Sequence, residues 1–172
     1  MTFKTLTAIT LASIALLSGC ASTMQTPAAS TAPALSTAAA AISPDGLVTL
    51  ISPRSAKETM DRLEASVKEK GFAVVARVDH AAGATRVGKT LRPTELLIFG
   101  NPAGGTLLME CAQTAGIELP LKALVWSDAA GKTMLSYNDP TYIIKRHNAP
   151  ACPAAAGMSN TLGGIMKAVV AP

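Results

Sequence analysis

The side chains that could do chemistry here are few: three cysteines, two histidines and scattered carboxylates and methionines in 172 residues. Cys111 and Cys152 stand 41 positions apart. In an oxidising compartment such a pair reads first as a disulfide. The alternative is a soft-metal site, because Met109, Cys111, His147 and Cys152 offer the thioether, thiolate and imidazole donors that suit Cu(I). That site needs two local pairs to meet in space, and their spacing is no recognised metal motif. Plainer roles are core packing for Met109 and a cation at a helix C-terminus for His147. His80 could be a ligand or proton-transfer group, working with Asp79 or Glu110, or it could hydrogen-bond the loop after it. No nucleophile elbow or second histidine stands near it, which leaves a hydrolase without support. Asn101, Tyr137 and Asp139 complete the polar set that could face a small ligand, although Asp139 before Pro140 also reads as a helix cap. No catalytic residue is assigned and no cofactor is implied.

The compartment is set by the N-terminus. Met1 to Lys4 is short and positive, and Leu6 to Leu17 is apolar or small throughout, as in the h-region of an export signal. A membrane span needs about 20 apolar residues, more than this run provides. Leu17-Ser18-Gly19-Cys20 follows directly and resembles the lipobox of bacterial lipoproteins. In that family the thiol receives a diacylglycerol, a signal peptidase cuts before the cysteine, and the new amino group is acylated. The resemblance implies a leader over residues 1–19 and an anchor at Cys20, with several acyl chains holding the bilayer stably. Ala21, where Asp would favour the inner membrane, points to the outer membrane, facing the periplasm. That compartment favours a Cys111–Cys152 bridge, with up to ~4 kcal/mol of chain-entropy stabilisation.

Residues 20–44 carry no charge and are almost wholly Ala, Ser, Thr and Pro. They offer little to bury, so the expectation is a flexible spacer. Removing Lys4 with the leader leaves 14 basic against 11 acidic side chains, a net charge of +3 with no basic run. Nucleic-acid binding would need a basic patch with stacking aromatics, and aromatics are only 3% of the chain.

The chemistry above has to be positioned by one domain, expected over residues 45–172. Leu47 to Ile51 reads as a strand. Ser55 and Glu58 form a capping box, after which Ala56, Met60, Leu63 and Val67 share a helical face. Glu58–Arg62 and Glu64–Lys68 are i,i+4 pairs, and Gly71 stops the helix. Phe72 to Val78 is a strand with Phe72, Val74, Ala76 and Val78 on one face. An Ala-Ala-Gly segment after His80 reads as flexible. Glu95 to Phe99 is a strand, Asn101-Pro102 and Gly104-Gly105 mark a turn, and Thr106 to Cys111 is taken as helix. Those glycines lack the Lys-Ser/Thr ending of a phosphate loop. Leu121 to Ser127 and Lys132 to Tyr137 form a hairpin, putting Trp126 and Tyr137 on adjacent strands in cross-strand contact or on a dimer surface. Tyr142 to His147 and roughly 159–170 are helices. Strands joined by tight turns predict an α+β two-layer sandwich, an antiparallel sheet with helices on one face.

Several stretches resemble the family called domain of unknown function 302: Val78-Asp79-His80, Arg92-Pro93-Thr94-Glu95-Leu96, Ile98-Phe99-Gly100-Asn101-Pro102, Gly105-Thr106, Leu108-Met109, Leu119-Pro120-Leu121-Lys122, Leu124-Val125-Trp126 and Ser136-Tyr137-Asn138-Asp139-Pro140. They fall in order between about 46 and 148. The resemblance implies a single TATA-binding-protein-like α+β domain, a homodimer in some members, and no established activity. The chain is therefore expected to be a lipoprotein that binds a small ligand or an envelope protein, or has a structural role. The alternatives are a thiol-redox or copper-handling protein using Cys111, Cys152, Met109 and His147, and an enzyme using His80.

Overall fold

The computed structural model of the protein describes residues 42–172. The leader, Cys20 and nearly all of the spacer lie outside the described residues. In chain order the elements are β1 (Leu47–Ser52), α1 (Ala56–Glu69), β2 (Ala73–Asp79), α2 (His80–Arg86), β3 (Thr94–Gly100), α3 (Pro102–Cys111), a 3-10 helix (Gln113–Glu118), β4 (Leu121–Ser127), β5 (Thr133–Asn138), α4 (Pro140–Arg146) and α5 (Pro153–Val170). The strands form one antiparallel sheet in the order β1-β5-β4-β3-β2, with helices packed on it, the α+β arrangement that the tight turns predict.

Alternation along the strands turns Val48, Leu50, Leu97, Phe99, Val125, Leu135 and Tyr137 to one face. There they meet Met60, Leu63 and Val67 of α1 and Leu162, Ile165, Met166 and Val169 of α5. A smaller cluster of Leu108, Ala115, Ile144, Cys152 and Ala155 joins α3, α4 and the start of α5. Helix α1 begins with Ser55 accepting the Glu58 amide at 3.2 Å, half of the expected capping box, since the Glu58 carboxylate turns to Arg54; Gly71 follows the helix at φ +78.

Several local expectations are corrected. Glu58 pairs with Arg54 at 3.1 Å and not with Arg62, whose guanidinium donates to the Ala168 and Val169 carbonyls at the end of α5. Strand β2 slips register between Val74 and Ala76. Val74 stays opposite Phe99, but Ala76 and Val78 move to the other face, because a bulge inserts one unpaired residue and reverses the alternation. The segment after His80 is helical, since alanine favours helix and the Asp79 carboxylate caps it by accepting the Ala82 amide at 2.8 Å. Gly104 and Gly105 lie inside α3 and do not form a turn. Helix α5 starts at Pro153, earlier than its apolar stripe suggests, because Ala154–Ala156 are strong helix formers without a pattern of their own. Trp126 and Tyr137 lie on opposite faces: Trp126 faces Met134 and donates to the Ser136 hydroxyl at 2.9 Å, while Tyr137 lies opposite Ala123 toward the helices.

Candidate functional site

A cavity of about 670 Å³ opens between α3, α5, residues 116–121 and the start of β2. Its position follows from local chain chemistry. The Asn101 side chain caps α3 by accepting the Ala103 amide at 3.0 Å, and Pro102 pre-sets the first turn. Glycines let α3 approach its neighbours. A Cβ on Gly104 would lie 3.1 Å from the Met158 methyl, and one on Gly105 would lie 3.4 Å from Leu119 Cδ1. The bulged Val75 of the edge strand stands at the cavity with 61% of its surface exposed. Phe72, Leu107, Met109, Leu119 and Met158 are the large apolar side chains beside it on the wall, with Leu121. Among the described residues no charged side chain lines the cavity.

Cys111 ends α3 and Cys152 caps α5, and the two are joined as a disulfide with S–S 2.20 Å and Cα–Cα 5.7 Å. The bridge links the two helices that wall the cavity. While it is closed, neither sulfur is a thiolate. Met109 lies on the cavity wall, and its sulfur would touch a Cβ on Gly116 at 3.2 Å. His147 caps α4, with Nδ1 2.9 Å from the Thr114 hydroxyl and Nε2 3.7 Å from Glu118. Among the described residues no group of three or more His, Cys, Asp or Glu is arranged to hold a metal ion.

The other candidates are dispersed. Asn101 lines the cavity, with its carbonyl oxygen engaged by its own helix. His80 is an exposed first residue of α2, and Asp79 beside it is occupied as the cap. Glu110 is exposed. Asp139 is 2% exposed and accepts from the Thr141 amide at 2.8 Å, the Thr141 hydroxyl and the Ser159 hydroxyl, so it caps α4. Burial, and then the Asp139 charge, push the Tyr137 phenol above its ordinary pKa. Of the residues that form the cavity, Asn101 and Met109 are among the candidates that the sequence singles out, whereas Phe72, Val75, Leu107, Leu119, Gly157 and Met158 are not. Glycines inside helical stretches are the one signal that could have pointed to them.

A family model described as "Domain of unknown function DUF302" matches residues 48–169. The chain belongs to this family. The match runs through α5, farther than the boundary near residue 148 that the sequence motifs suggest, so the helix that closes the cavity is part of the DUF302 domain. A crystal structure of an uncharacterized conserved DUF302 protein from Bacillus stearothermophilus superposes with a TM-score of 0.66 at 24% identity, covering 73% of this chain and 98% of that one. Two proteins from other bacteria share more sequence. "Fluoride-specific ion channel FluC 1" of Brucella suis is 49% identical over 109 residues, 63% of this chain and 43% of that protein. "Fluoride-specific ion channel FluC 2" of Brucella melitensis is likewise 49% identical, over 40% of its length. The chain thus spans less than half the length of these relatives. Among the described residues no helix is long and apolar enough to cross a membrane.

Proposed function

We propose that this DUF302 chain is a periplasm-facing binding module, held to the outer membrane through acylated Cys20, whose domain takes an apolar small ligand into the cavity between α3 and α5. The cavity carries the reading. At about 670 Å³ it lies within the ~300–1,000 Å³ typical of small-molecule sites, which are mostly apolar and concave. The disulfide between its walls supports a pre-formed site. Its described lining holds no acid or base, and its hydroxyls, those of Thr106 and Thr161, have none beside them there, so binding without turnover is the simpler use. The lipobox and uncharged spacer support the anchor.

The test is native mass spectrometry of the full chain extracted from a bacterial envelope. The expected species begins at an acylated Cys20, lacks two hydrogens at Cys111 and Cys152, and carries a non-covalent adduct. A mature chain whose N-terminal peptide carries no acyl mass on Cys20 would overturn the anchor. A bare domain after gentle extraction, with no adduct regained from envelope lipids or small molecules, would overturn the ligand.

The Brucella relatives favour a second reading, in which the domain serves a membrane channel for fluoride. Their names attach a channel to chains that contain this domain over less than half their length. Cells deprived of the chain would then lose fluoride tolerance, and unchanged tolerance would remove this reading.

A further inference from the structure

The chemistry of the cavity walls narrows what can occupy them, given the binding-module reading above. The polar side chains on the described wall are few: Asn101, Thr106 and Thr161. Asn101 Oδ1 accepts from Ala103, and the Thr161 hydroxyl donates to the Gly157 carbonyl at 3.0 Å. A ligand that buried a charge or several hydrogen-bonding groups there would lose hydration without replacement, which is strongly unfavourable. For a flat aromatic ligand the wall offers at most one stacking partner. Phe72 is the one aromatic among the described lining residues, and its ring is turned edge-on to Phe99, with centroids 5.7 Å apart at 79°. The rest of the apolar wall is conformable: Met109 and Met158 are unbranched thioethers, and Leu107 and Leu119 stand beside them. On α5 the lining residues are Ala154, Gly157, Met158 and Thr161. That is an i, i+3, i+4, i+7 stripe about 10 Å long, so the trough is elongated.

From this geometry we infer that the occupant is the acyl chain of a lipid, lying along the α5 stripe and entering past the bulged rim at Val75. Its head group stays in water at the mouth, since the described wall offers no partner for a charge. A linear, flexible, uncharged chain satisfies every constraint at once, and a domain tethered beside a bilayer meets such chains continually.

The test uses the mature chain, residues 20–172, carrying Cys20→Ser, so that it has neither the apolar leader nor an acyl group of its own, and follows fluorescence of the polyene fatty acid cis-parinarate. Two glycines of α5 provide matched variants. A Cβ at either Gly157 or Gly164 meets nothing within 4 Å, and leucine improves the helix at both. Only Gly157 lines the cavity. Saturable binding that palmitate displaces, roughly tenfold weaker in Gly157→Leu and unchanged in Gly164→Leu, is the expected result. Val75→Asp, an exposed change at the rim, should weaken binding without lowering the melting temperature. Phosphatidylglycerol vesicles form a second arm. If phospholipid transferred from them displaces the probe, the source is a membrane lipid; if only palmitate does so, it is a free fatty acid. Either source supports the inference. Absent probe binding, or equal binding in Gly157→Leu, overturns it. If a native adduct is lost in Gly157→Leu yet resists both palmitate and vesicles, the acyl chain is wrong while the binding module stands. If adduct and probe binding are both absent, both fall.

Discussion

The carboxylate of Asp139 accepts the hydroxyl of Ser159, and that contact ties the cap of α4 to the middle of α5. The same side chain accepts the Thr141 amide at 2.8 Å and is 2% exposed. Asp139→Ala therefore removes a helix cap and leaves buried donors without an acceptor. The expected loss is about 2–3 kcal/mol. Ser159→Ala removes one donor and should cost about 1 kcal/mol. Urea midpoints at neutral pH check both. Equal effects from the two changes would show that the cap contributes nothing beyond the α4–α5 tie.

The bridge between Cys111 and Cys152 closes a loop of 41 residues. Chain-entropy reasoning then sets an upper limit of about 4 kcal/mol on its stabilisation. In a chain with so few aromatics, that is a large share of the total. Replacing both cysteines by serine should lower the urea midpoint and raise hydrogen exchange in α3 and α5. An unchanged midpoint would mean that the small cluster around Leu108 and Ala155 holds those helices unaided.

What the sequence disclosed and what it concealed have separate physical causes. Met60, Leu63 and Val67 repeat at the helical period, and the hairpin at Asp128–Gly131 carries its own turn residues, so these elements could be read locally. The bulge at Val75 could not, because Val74 and Ala76 on either side are apolar and Arg77 reads as an outward side chain, although it reaches Asp61 and Glu64 on α1. The cavity was hidden for a different reason. Its walls come from residues 72–75, 100–109, 116–121 and 154–161, and Gly, Leu and Met carry no signature of ligand chemistry. His80 and Asp139 stood out by residue type, yet Asp139 and the neighbour of His80, Asp79, serve as helix caps.

Acid sensitivity should arise where α1 meets β2. Asp61 is held below the usual carboxylate range first by Lys57 and then by Arg77. Glu64 is held down by Lys68 and then by Arg77. Both groups are less acidic when unfolded, so the stability they supply is present above about pH 4 and is lost as pH falls through their depressed folded values. Arg77→Met should lower the urea midpoint at neutral pH and leave it nearly unchanged in strong acid. These are surface pairs, so about 1 M salt should also shrink the difference. An effect of the same size at both pH values would assign Arg77 a packing role instead.

Two glycines should respond to alanine with opposite signs. Gly46 has φ +82, and a Cβ there would overlap the Tyr142 ring at Cδ1 and Cγ. Its carbonyl also accepts the Asp139 amide at 3.0 Å, so any backbone shift disturbs the α4 cap. Gly46→Ala should cost about 2 kcal/mol or more through strain and overlap. Gly164 lies in the interior of α5, exposed, with nothing within 4 Å of a Cβ. Gly164→Ala should gain about 0.5–1 kcal/mol from helix propensity alone. Thermal melts of the two variants settle the signs. A stabilising Gly46→Ala would mean that Tyr142 can swing aside and the backbone relax, releasing the contact between the start of β1 and the α4 cap.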